Sequence, residues 1–108
     1  MQFDLNQGTA VLRRTPGVLR SLLDGLPDAW IRSNEGPDTW SPFDVLGHLI
    51  HGEETDWIPR ARIILEHGDS RPFERFDRFA QLHKPRGQRL QDLLDEFARL
   101  RQANLETL

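Results

Sequence analysis

The chain has 108 residues, of which 37% are hydrophobic and 29% charged, enough for one domain around one core. It has no cysteine, which excludes disulfides, thiolate metal ligands and a cysteine nucleophile together. A net charge of -3 argues against nucleic acid as the main partner, since phosphate binding needs a basic face, and no apolar run approaches the roughly 20 residues of a membrane span.

The first helical signal spans about 6–25. At 100° per residue, Val11, Leu12, Thr15, Val18, Leu19, Leu22, Leu23 and Leu26 share one face. Pro16 has no N–H to offer the carbonyl of Leu12, so the segment either bends there or divides, with Thr15 as N-cap and Pro16 in the new first turn. The apolar stripe keeps its phase across Pro16, which favours one bent helix. Gly25 and Pro27 end it. Trp30 and Ile31 then anchor a short connector, and Asn34-Glu35-Gly36-Pro37 reads as a turn.

The second helix is expected over 42–67 and has the strongest start signal in the chain. Ser41 can cap it, Pro42 suits its first turn, and Asp44 completes a short-armed capping box. Pro59 must kink it by freeing the carbonyl of Thr55. Val45, Leu46, Leu49, Ile50, Trp57, Ala61 and Ile64 form a wide apolar arc. A helix with so broad a face touches more than one neighbour, which fits a bundle.

The crossover, 68–87, carries Phe73, Phe76 and Phe79, and its spacing predicts a helical turn or two plugging one end of the bundle. A third long helix follows over 88–108, with Leu90, Leu94, Phe97, Leu105 and Leu108 on one stripe. No stretch alternates as a strand would. The fold class is all-α: three long helices and a short crossover helix in a single domain.

A few polar residues fall on these apolar faces. His48 lies at the edge of the second helix's buried arc, where it serves either as a rim histidine bonded to a carbonyl or as a metal ligand. His51 falls further round, on the side expected to face water. Glu53 is placed between Leu46 and Leu49, where an unpaired carboxylate is costly. Arg101 and Asn104 lie within the apolar stripe of the third helix. Two arrangements are open: Glu53 and Arg101 pair in the interior or line a polar cavity, or the kink at Pro59 turns Glu53 outward while Arg101 reaches solvent along its apolar stem.

Five stretches carry a family resemblance: 15–30, from Thr15-Pro16-Gly17-Val18 to Asp28-Ala29-Trp30; Asn34-Glu35-Gly36-Pro37; Trp40-Ser41-Pro42-Phe43-Asp44-Val45-Leu46-Gly47-His48-Leu49-Ile50; Arg75-Phe76-Asp77-Arg78-Phe79-Ala80-Gln81; and Leu93-Leu94-Asp95-Glu96-Phe97 on to Asn104-Leu105. As a set they resemble the DinB-like four-helix bundles. That resemblance implies a divalent metal, zinc or nickel in full-length relatives, held by one histidine of the second helix and two, four residues apart, of a fourth helix. His48 matches the first. The other two would follow Leu108, so the resemblance implies a bundle without its fourth helix and no tightly bound metal in this chain alone.

Two functions then stand side by side. One is descent from metal-dependent (thiol) transferases or hydrolases acting on an unspecified small molecule, with His48 as surviving ligand and an incomplete site. The other is a non-catalytic helical interaction module. The groove left by a fourth helix would be closed by a second copy, so a homodimer is expected. No basic-then-apolar leader pattern opens the chain, and a cytoplasmic location is the default.

Overall fold

The computed structural model describes residues 2, 4–73 and 89–108. Among them, five helices and no strands are found: α1 (Leu5–Leu23), α2 (Asp28–Arg32), α3 (Pro42–Thr55), α4 (Trp57–His67) and α5 (Leu90–Thr107). The all-α expectation holds. The proposed crossover helix, with Phe76 and Phe79, lies outside the described residues.

Local chemistry explains where these helices begin and end. Asp4 caps α1 by accepting from the backbone N–H groups of Asn6 (2.8 Å) and Gln7 (3.1 Å). α1 runs without division through Pro16, the bent-helix alternative, and stops before Gly25, whose φ of 84° suits a residue without Cβ. Ser41 and Asp44 form the reciprocal capping box, with Asp44 N–H donating to Ser41 Oγ (3.1 Å) and Ser41 N–H donating to Asp44 Oδ2 (3.0 Å). Ser41→Ala should therefore lower stability by about 1 kcal/mol, measured by urea unfolding. No change in midpoint would show that Asp44 alone holds the turn.

The expected single helix over 42–67 is corrected to two. Pro59 removes the donor that Thr55 needs, and one helix gives way to the next at Asp56, where φ is -106° and ψ -65°. α4 then restarts with Pro59 in its first turn, where no N–H is missed. This break resets the helical phase, and Trp57 and Ile64, expected inside, are exposed. Val45 is also exposed, so the inward arc of α3 is narrower on that side than the apolar pattern implies. On the other side it is wider. His51, expected to face water, is only 6% exposed, because the buried arc continues from Ile50 past Gly47 to His51.

α5 is the central element. It packs against α3 and α1, while α2 lies on α3. Leu46 and Ile50 of α3 meet Leu93, Leu94 and Phe97 of α5 in the core, and Leu19 of α1 closes one flank. Of the connector's two anchors only Ile31 is buried, and Trp30 lies at the surface. Polar contacts hold α1 to α5: Arg20 pairs with Asp95 (2.7 Å), and Gln91 donates to Asp24. No residue of α1 is buried. Its stripe divides lengthwise, with Leu19 and Leu23 turned partly inward and Val11, Val18 and Leu22 exposed.

Candidate functional site

Glu53 sits in the last turn of α3 and is 4% exposed. A carboxylate so deeply buried must be both paired and hydrogen-bonded, and α5 supplies both. Arg101 donates from Nε (3.0 Å) and Nη2 (2.7 Å) to Glu53 Oε1. Asn104, nearly one turn further along α5, donates from Nδ2 to Glu53 Oε2 (2.9 Å) and to the Glu53 carbonyl (2.8 Å). Of the two arrangements open from sequence, the interior pair is the one present. The break after Thr55 does not turn Glu53 outward, because it lies two residues beyond it.

The guanidinium has a third partner that ties in α1. Arg101 Nη1 donates to the main-chain carbonyl of Leu12 (2.9 Å). That carbonyl is the one Pro16 leaves without its helical donor. Its free lone pairs thus become the docking point for α5. The ring of Phe97 lies 5.0 Å below the guanidinium carbon, adding a cation–π contact one turn back. Three helices therefore converge on one side chain, each through an atom of different chemistry. Both Pro16 and Arg101 stood out in the sequence, but their connection could not be read there, because nothing local says which carbonyl meets which side chain.

Beside this cluster is a cavity of about 270 Å³, lined by Leu12, Glu53, Trp57, Ile58, Ala61, Arg101, Asn104, Leu105 and Leu108. Its wall is mostly apolar, with the polar cluster on one side. Sequence reasoning marked the three polar residues as lining a cavity or forming a pair. It did not foresee Ile58 or Leu12 in the wall, since both depend on how α4 departs from α3 and how α1 crosses α5.

His48 stands elsewhere. It is half-buried on α3, and its ring lies 4.8 Å from the ring of Trp40, tilted by 56°. Trp40 in turn lines a groove of about 430 Å³ between α1 and α3, together with Leu19, Leu23, Val45 and Leu49. Glu53, Arg101 and Asn104 do not line that groove, so the two features are separate. Among the described residues, no three histidine, aspartate or glutamate side chains converge as a metal-holding group, around His48 or anywhere else. Also among the described residues, no helix is long and apolar enough to cross a membrane.

No curated protein matches the chain. A family model does, over residues 12–108, and its description is the DinB superfamily.

Proposed function

The chain belongs to the DinB superfamily, and from that premise we propose that it acts as a helical interaction module that pairs with a second copy of itself. The reading rests on one observation. Val11, Val18 and Leu22 form an exposed apolar strip along α1, and Val45 is exposed on α3, where the groove between the two helices begins. Val18 and Leu22 are 54% and 64% exposed, although their spacing is that of a buried helix face. An apolar strip of three turns beside an apolar groove is the kind of surface that soluble chains cover. A second copy covers it without new sequence, since under two-fold symmetry the strip of each chain enters the groove of the other.

Such pairing covers exposed apolar side chains, so the interface should be apolar and long-lived. Trp40 lines the groove and provides the kind of large, stiff side chain on which interfaces commonly depend. Descent from metal-dependent transferases or hydrolases remains compatible with the family, with His48 as the inherited ligand. The exposed strip of α1 is the observation that supports the binding reading.

Sedimentation velocity at micromolar concentration tests the proposal, with metal content measured on the same fractions. A dimer is expected, with no stoichiometric zinc or nickel carried through gel filtration. Val18→Glu combined with Leu22→Glu should return a monomer of unchanged helicity, since neither side chain belongs to the core. A compact monomer in the unaltered chain, binding no hydrophobic dye, would defeat the pairing. Stoichiometric metal that disappears in His48→Ala would restore the metal-dependent reading.

A further inference from the structure

We infer that the cavity beside Glu53, Arg101 and Asn104 is a binding site for an uncharged small molecule with an apolar body and one hydroxyl or carboxamide head. The inference begins with the hydrogen-bond inventory of the cluster. Asn104 gives both Nδ2 hydrogens to Glu53, one to its carboxylate and one to its main chain. Two acceptors on that side fix which end of the amide is nitrogen, and Oδ1 is left as an acceptor on a residue that lines the cavity. Arg101 has five N–H groups and uses three, two on Glu53 and one on Leu12. One N–H remains on each terminal nitrogen. The cluster thus offers a ligand one acceptor and two donors.

Charge narrows the class. Glu53 and Arg101 neutralise each other at 2.7 Å, and no other ionisable side chain lines the cavity. An anion or a cation brought to this wall would have to leave water for side chains that carry no net charge to meet it. A neutral head that donates to Asn104 Oδ1 and accepts from Arg101 loses nothing on desolvation. Leu12, Ile58, Ala61 and Leu105 take the body. Size narrows it further. An apolar cavity of about 150 Å³ already admits benzene, and drug-sized molecules need roughly 300 Å³ or more. At about 270 Å³ this site suits a ring with a short arm.

Three probes share one body and differ only in the head: 3-phenylpropanamide, 3-phenylpropanoate and 3-phenylpropylammonium. Titrations are followed by the indole N–H resonance of Trp57, which borders the cavity. The amide should shift that resonance and bind at least tenfold more tightly than either ion. Ala61→Phe, which fills the cavity without touching the polar cluster, should weaken amide binding at least tenfold while leaving the circular dichroism spectrum unchanged. Should that variant fail to fold, Leu108→Trp fills the same space from the exposed end of α5. Equal affinity for the three heads would overturn the inference, as would undiminished binding in the folded filling variant, or no response to the amide at millimolar concentration.

Discussion

Glu53→Ala should cost about 3–5 kcal/mol, the largest single loss expected outside the apolar core. The substitution removes a carboxylate that accepts from two side chains, and it leaves the Arg101 guanidinium largely buried with only the Leu12 carbonyl as hydrogen-bond acceptor. Most of the loss comes from that stranded charge and not from the attraction itself, because bringing the pair out of water is itself expensive. The double substitution Glu53→Ala with Arg101→Leu should therefore regain part of the stability. Urea unfolding of the four species forms a double-mutant cycle, and a coupling above about 1 kcal/mol is expected. Additive losses would mean that the two side chains do not meet in solution. All four must be compared at one protein concentration, since pairing of copies adds its own stabilisation.

Phe97→Ala should cost a similar amount, about 3–5 kcal/mol, for a different reason. Phe97 is fully buried between Leu46, Ile50, Leu93 and Leu94, and its ring carries the guanidinium of Arg101 on one face. Truncation opens a void where α5 meets α3 and also removes the surface on which Arg101 rests. Phe97→Leu keeps much of the volume and should lose clearly less. The comparison separates packing from the ring contact: if both variants lose equally, the ring–guanidinium contact dominates, and if Leu is nearly harmless, volume does. A loss below about 1 kcal/mol in Phe97→Ala would place the core elsewhere.

The parts of this fold that were legible are those decided within a few residues. Ser41, Pro42 and Asp44 specify a helix start by their own reach, and the structure contains that capping box. Glu53 was conspicuous because a carboxylate between Leu46 and Leu49 requires an explanation, and Arg101 and Asn104 because they interrupt an apolar stripe at helical spacing. What failed was extrapolation of helical phase through a proline. Trp57 and Ile64 were counted on the inner arc of one long helix, but the break at Asp56 rotates α4 and turns them out. Val11, Val18 and Leu22 show a different limit. Periodicity identifies an apolar face without saying whether a neighbour exists to cover it, and among the described residues α1 has α5 as its principal partner. His51 shows the converse: a polar residue at the edge of an arc can be enclosed by elements that its own helix does not encode.

The unclaimed carbonyl of Leu12 has a further consequence for how α1 is held. Helices that meet through leucines repeating every three or four residues can slip by a turn, about 5.4 Å, and find nearly equivalent contacts. α1 is the longest element open to such slippage, since none of its residues is buried. Its interior carbonyls are otherwise taken by the N–H four residues ahead, so a donor approaching from α5 finds a vacant acceptor at one height only. Arg101, held in place by Glu53, searches along α1 and can settle only opposite Leu12. The proline thus works as an index mark: by deleting one hydrogen atom it fixes the axial register of the least buried long helix in the described fold.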